Sequence, residues 1–243
     1  QNVVPCVLEL GGKSAAIVHE DADLDAFESD IRWGIYFNAG QVCSAMSRVI
    51  VHESRAAEML ERAETVARSL SVGPGIERAQ AGPTMGAMVS DGQRDRAAGM
   101  IARAEEQGAR VACGGRKLNR PGAFLEPTVL ANVTPDMEIA QQEVFGPVLS
   151  VLSFRDEAEA IEIANGTEYG LVAGVFTADL DRATRAARRL RAGQVFVNEW
   201  FAGGVETPFG GYGKSGYGRE KGREALWNYV QTKNVAVKLK GLP

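Results

Sequence analysis

Cys43 is the side chain of this sequence best placed to act as a nucleophile. A helical pattern stops at Asn38-Ala39-Gly40, and the thiol follows after Gln41 and Val42, just beyond a glycine-containing turn. A thiol set there can face the floor of a cleft, with backbone N–H groups of the turn free to meet an oxyanion. Position alone is a weak signal, because a free cysteine is usually a small buried apolar residue. A second group adds to it. Glu9 lies in Val7-Leu8-Glu9-Leu10-Gly11-Gly12-Lys13-Ser14, which reads as a buried strand ending at a Gly-Gly turn. A carboxylate between Leu8 and Leu10 is costly without a partner or a task, and burial would raise its pKa toward the range of a general base near neutral pH. Two more stretches complete the set: Gln142-Glu143-Val144-Phe145-Gly146-Pro147-Val148, and the glycine-rich run from Pro208-Phe209-Gly210-Gly211-Tyr212 to Arg219-Glu220.

These four stretches, in this order, resemble the motifs of the aldehyde dehydrogenase superfamily. The resemblance covers essentially all 243 residues, but only the C-terminal half of a family member; the dinucleotide-binding half that precedes it in the family has no counterpart here. It implies NAD(P)-dependent oxidation of an aldehyde. Cys43 would add to the carbonyl to give a thiohemiacetal, which passes hydride to the nicotinamide ring of NAD or NADP and becomes a thioester, and Glu9 would activate the water that hydrolyses it. Glu220 corresponds to a second carboxylate that relays the proton in some members. Glu143 corresponds to the acceptor for the nicotinamide ribose hydroxyls, Phe145 to a side chain packed beside the ring, and Gly11 to the cofactor side of the site.

Phe37 and Phe209 match walls of the aldehyde tunnel, and Val42 and Ser44 flank the nucleophile. Gly203 stands where some members carry a tunnel aromatic, leaving Trp200 and Phe201 to fill that wall from the side. Lys214 lies one place later than the lysine of many members, because Gly213 intervenes. The family's oxyanion hole also uses an asparagine amide from the N-terminal half, so this chain offers the backbone N–H of Cys43. The site is expected in one cleft, with Glu9 and Cys43 together and Glu143 and Phe209 on its rim, at the C-terminal edge of a parallel sheet.

Composition narrows the rest. A chain of 243 residues with 45% hydrophobic content can bury a full core. A net charge of −4 gives no basic footprint for nucleic acid. No apolar run reaches membrane-spanning length and no signal-peptide pattern opens the chain, which reads as cytoplasmic. Cysteines at 6, 43 and 113 have no metal-ligand spacing and do not suggest a disulfide framework. His19 and His52 read as ordinary surface or loop residues. The start at Gln1, almost directly in an apolar strand, is expected to be a cut or processed end.

The chain reads as α/β, a three-layer parallel-sheet domain over 1–230 with a C-terminal oligomerisation strand and tail at 231–243. Strands are expected at 15–18, 48–52, 109–112, 148–154, 171–177 and 194–198, and an extended stretch at 124–130. Helices are expected after the acidic run at 20–25, at 56–70, 91–107, 156–165, 179–191 and 222–229, with a loop over 78–90. From residue 147 strands alternate with helices, which implies crossover connections. Arg182, Arg185, Arg188, Arg189 and Arg191 read as a solvated helix face and positive last turn. The strand at 234–239, with Val235, Val237 and Leu239 on one face, is expected to join a neighbouring subunit and make a homo-oligomer. Two readings stand side by side: an aldehyde-oxidising domain, and a non-catalytic fragment or assembly module with at most residual thiol esterase activity. The isolated chain is expected not to oxidise aldehydes.

Overall fold

The structure, a computed structural model, describes residues 3–78 and 84–241. Its centre is a seven-stranded sheet. The strands are β1 Ala15–Val18, β2 Arg48–His52, β3 Arg110–Cys113, β4 Thr128–Ala131, β5 Val148–Phe154, β6 Val172–Phe176 and β7 Gln194–Val197. They lie in the order β7, β6, β1, β2, β5, β4, β3, and every neighbouring pair is parallel except β3 with β4. Strands β1 and β6 are buried along their whole length. That is why the sequence shows continuous apolar runs there, as in a parallel sheet covered on both faces, and no alternation.

Five helices of nine residues or more accompany the sheet: α1 Leu24–Tyr36, α2 Ala56–Ser69, α3 Asp91–Glu106, α4 Glu157–Asn165 and α5 Leu180–Arg189. Helix α1 starts where Asp23 accepts the N–H groups of Asp25 and Ala26, and it buries Leu24, Phe27, Ile31 and Ile35 at helical spacing. Asp156 and Asp179 cap α4 and α5 in the same manner. From β1 through α1 to β2 the chain steps one way along the sheet, while from β5 through α4 to β6 it crosses back the other way. Right-handed crossovers in opposite directions place their helices on opposite faces, which gives the three layers.

Several expectations need correction. Leu8–Glu9 is not a buried strand; it pairs antiparallel with Gly216–Tyr217 outside the central sheet, and Leu8 and Leu10 are exposed. Within the loop expected over 78–90, Thr84–Met85 pairs with Ser71–Val72, and 79–83 lie outside the described residues. The helix at 222–229 is reduced to a 3-10 turn over Glu224–Tyr229 that buries no side chain. Residues 230–240 are exposed and make no ladder within the chain. His19 is buried, 2% exposed, and not a surface residue. It follows β1 as His52 ends β2, and both rings meet the Phe154 ring edge-on at 5.4 Å. The arginines of α5 do face outward, where Arg182 pairs with Glu20 and Asp21, and Arg185 with Glu157.

Candidate active site

Three adjacent strands define the place. Residues 9–13 lead into β1, Cys43 leads into β2, and 143–147 lead into β5. Because these strands are parallel neighbours, their lead-in segments arrive side by side at the N-terminal edge of the sheet. The expected C-terminal edge is therefore wrong for this site; that edge holds His19, His52 and Phe154.

The turn before Cys43 is held by its own side chains. Asn38 and Ala39 take left-handed φ values of 51° and 54°, followed by Gly40 at 70°. Asn38 Nδ2 donates to the Gln41 carbonyl at 3.0 Å, and Gln41 Nε2 donates back to the Asn38 carbonyl at 3.1 Å. Such a reciprocal clamp supports left-handed backbone that costs about 1–3 kcal/mol at a non-glycine residue. A Cβ on Gly40 would overlap the Gly146 carbonyl, so glycine lets the third motif lie against the cysteine turn.

Cys43 is half-buried. Burial pushes its thiol up, the Ser44 amide counters by favouring thiolate, and the carboxylates of Glu143 and Glu9 push it up further. Both carboxylates therefore act on the same sulfur. Glu9 is itself raised, first by burial and then by Glu220, while Arg219 lowers it. Both Glu9 carboxylate oxygens are buried and unpartnered, a costly state that makes the carboxylate a stronger base than an exposed one. Glu220 is fixed through its backbone, which exchanges two hydrogen bonds of 2.7 Å with Phe209. Between them lies Gly210, where a Cβ would stand 3.0 Å from Glu9 Oε1.

Glu143 is anchored from the Gly-Gly turn: the Gly12 N–H donates to Oε1 at 3.0 Å. A Cβ on Gly11 would overlap the other oxygen, and one on Gly12 would overlap the Cys43 carbonyl. The two glycines thus admit the Glu143 carboxylate on one side and the Cys43 backbone on the other. Helix α3 holds the loop from behind, since Arg96 donates to the Glu143 and Val144 carbonyls and Gln93 to those of Val144 and Phe145. Phe145 has φ of 54° and a partly exposed ring. Glu143, with one oxygen held by an amide, suits a pair of vicinal hydroxyls, so these residues fit the nicotinamide ribose of a dinucleotide.

Beside Val42 lies a cavity of about 590 Å³ walled by Trp33, Phe37, Trp200 and Phe201, with Asp30 and Glu199 at its margin. Trp200 ties this wall to the Cys43 turn, donating from its indole to the Ser44 carbonyl at 3.3 Å while its backbone N–H reaches Asp30 at 2.7 Å. Ser44 is buried. Phe37 and Val42 are in this wall; Phe209 stands apart from it, under the Lys221 ammonium at 5.5 Å. Sequence reasoning missed Asp30 and the outward turn of Trp33. The signal for Trp33 was present, because it falls off the Leu24, Phe27, Ile31, Ile35 stripe of α1. Among the described residues no cluster of His, Cys, Asp or Glu could hold a metal ion, and no helix is long and apolar enough to cross a membrane.

This arrangement has counterparts in known proteins. Residues 1–235 match the profile of the Aldehyde dehydrogenase family. The betaine aldehyde dehydrogenase of Brucella anthropi is 44% identical over 236 residues, covering 96% of this chain and 48% of that protein. The cytosolic aldehyde dehydrogenase 1 of Mus musculus is 40% identical over 238 residues, covering 98% of this chain and 47% of that one. The aldehyde dehydrogenase of Bacillus cereus in its NAD+ complex superposes with a TM-score of 0.92 at 42% identity, over 96% of this chain and 47% of that structure. The chain spans about half the length of the relatives it matches. A fold, four ordered motifs and relatives on both counts lead to one assignment: the chain belongs to the aldehyde dehydrogenase family.

Proposed function

We propose that this chain carries the catalytic groups of an NAD- or NADP-dependent aldehyde dehydrogenase. The observation that carries the reading is the Gly11-Gly12 turn, which meets Glu143 on one side and the Cys43 backbone on the other. When bound, a nicotinamide cofactor supplies the hydride acceptor. Cys43 adds its sulfur to the aldehyde carbon, and the developing oxyanion meets the Cys43 N–H. Loss of hydride from the thiohemiacetal carbon to that acceptor would leave a thioester, and the Glu9 carboxylate, made more basic by burial, takes a proton from the water that hydrolyses it and passes it toward Glu220. Glu143 would accept the ribose hydroxyls of the cofactor, and Phe145 would pack against it.

The aromatic cavity supports an aldehyde whose remainder is compact and cationic. Rings of Trp33, Phe37, Trp200 and Phe201 with carboxylates at the margin attract a quaternary ammonium by cation–π and Coulomb interaction, in keeping with the betaine aldehyde dehydrogenases among the relatives. The stretch 234–239, exposed and without a ladder in this chain, is read as a strand for a second copy, making the protein a homo-oligomer.

The test uses the 243-residue chain. Hydrolysis of an activated ester should proceed slowly and disappear in Cys43→Ala, because it needs the thiol and water but no hydride acceptor. Reduced-nicotinamide formation from NAD or NADP with a panel of aldehydes is expected to be absent, since a large part of the barrier, about 7–11 kcal/mol, depends on positioning the reactants. Undiminished ester hydrolysis in Cys43→Ala would overturn the role of the thiol. The reading of the chain as a non-catalytic assembly module would then be favoured.

A further inference from the structure

Lys13 is the one charged group of the Gly-Gly motif that the mechanism leaves unused. Its side chain is inside the protein, the residue only 2% exposed, and its Nζ has no hydrogen-bond partner. It follows directly on Gly12, whose N–H holds the Glu143 carboxylate. Arg48 is packed against the same segment and is fully engaged: Nε donates to the Lys13 carbonyl at 3.1 Å, and the two Nη groups to the carbonyls of Ile163 and Ala164 at 2.8 Å each. The guanidinium is thereby fixed in place. Tyr169 and Arg191 line the small void that Lys13 and Arg48 share.

We propose that Lys13 is a positioning residue for the cofactor: buried, without a partner and next in the chain to the glycine that holds Glu143, its amine takes up a proton when that carboxylate receives the nicotinamide ribose hydroxyls. The inference rests on the reading of Glu143 as the ribose acceptor. A carboxylate covered by a ligand loses water and needs a compensating charge more than it does when open. Among the described residues, the cations that act on Glu143 are Lys13 and Arg96. Arg96 is committed to main-chain carbonyls of the loop. Lys13 differs, because burial and the Arg48 charge bring it down to about 7, with Glu143 alone pulling it back up. At neutral pH it is therefore divided between amine and ammonium. By linkage, whatever strengthens its attraction to Glu143 draws a proton from solvent, and the ligand binds more tightly where that proton is already present.

The sign follows. Ribose binding should be strongest below about pH 7 and weaken above it; a rise of one unit in the proton affinity of Lys13 on binding gives about a tenfold loss of affinity between pH 6 and pH 9. Nicotinamide riboside is the probe, since it carries the two hydroxyls and has no group that titrates in that range. Saturation-transfer NMR on the 243-residue chain gives its affinity, and carbon NMR of labelled glutamate follows the Glu143 carboxyl. The wild-type carboxyl should show a second inflection near neutral pH, and riboside affinity should fall through the same range. In Lys13→Met both should vanish, leaving weak, pH-independent binding; Lys13→Arg should bind as tightly at pH 9 as at pH 6. A neutral inflection that persists in Lys13→Met, or an unchanged pH profile of binding, would overturn the proposal. A purely structural lysine would lower affinity equally at every pH, which also counts against it. Riboside binding unaffected by Glu143→Gln would instead overturn the ribose reading, while the neutral inflection of Glu143 in wild type would still report its coupling to Lys13.

Discussion

Alanine at Gly11 and at Gly12 should fail in different ways, because the two positions face different obstacles. At Gly11 a Cβ would stand 2.7 Å from Glu143 Cδ and 2.9 Å from Oε1. Both atoms belong to the end of a flexible side chain, and Gly11 has no left-handed φ to forbid alanine. The carboxylate should swing away and give up the Gly12 N–H. Loss of a hydrogen bond to a charged group costs about 1.5–3 kcal/mol. The smaller entropy of an alanine-containing unfolded chain returns about 0.4–1 kcal/mol, and release of a buried carboxylate to water offsets more. The net change should be about 1 kcal/mol, or roughly 2–4 °C in melting temperature for a chain of this size. At Gly12 the Cβ would overlap the Cys43 carbonyl and lie 3.3 Å from Leu171 Cβ. Backbone that leads into β2 cannot rotate aside, so the strain should resemble overpacking of a core, about 1–3 kcal/mol. Thermal unfolding, riboside binding and ester hydrolysis measured together separate the two. Gly11→Ala should lose riboside affinity and keep Cys43-dependent hydrolysis; Gly12→Ala should lose stability and hydrolysis together. Equal destabilisation by both, or loss of hydrolysis only in Gly11→Ala, would refute the division of labour in this turn.

Iodoacetamide should label exposed Cys6 first, Cys43 next and buried Cys113 last, as read by peptide mapping; Glu143→Gln should speed labelling of Cys43 by removing an anion that raises its thiol. Lys13 is depressed from 10.5 to about 7 in the folded chain, so stability present above its unfolded value is lost as pH falls toward 7. Urea unfolding should show wild type more stable at pH 9.5 than at pH 7, with Lys13→Met flattening this slope and gaining roughly 1–4 kcal/mol at pH 7, as when buried charges give way to apolar side chains. His19 is also lowered from 6.5, by burial first and Arg182 second, against the pull of Glu20, Asp21 and Glu157. Its contribution is lost as pH drops below 6.5 through the folded value, and His19→Phe should remove that part of the acid sensitivity. Arg48→Met should destabilise by about 1–3 kcal/mol for each buried carbonyl left unpaired in denaturant titration, because it removes the donor shared by the Lys13, Ile163 and Ala164 carbonyls.

What the sequence revealed depended on whether a signal was local. Strands β2 and β5 and helix α2 were legible almost to the residue, because their apolar runs and helical apolar spacing mark them within their own few residues. Leu8-Glu9-Leu10 misled for the same reason. Its apolar flanks suggest a buried strand, yet they are exposed and the pair of residues is held by Gly216–Tyr217, more than two hundred positions away. His19 erred in the opposite direction. A lone histidine beside Glu20 and Asp21 reads as surface, and only the meeting of β1, β2 and β5 encloses it against Phe154.

The placement of the site follows from a similar long-range cause. Ligand sites of open parallel sheets generally lie beyond the carboxyl ends of strands, and the sequence expectation followed that rule. Here the lead-in turns carry the reactive groups instead. Gly11, Gly12 and Gly40 each lack the Cβ that would separate one lead-in from the next. Close approach at those glycines stacks the turn before β1 on the turn before β2, and the turn before β2 on the loop before β5. Once stacked, Glu9, Cys43 and Glu143 share one electrostatic environment, in which each carboxylate raises the thiol. The motifs could be read from sequence because glycine and chemistry coincide in them; the edge they occupy could not, because it depends on which strands become neighbours.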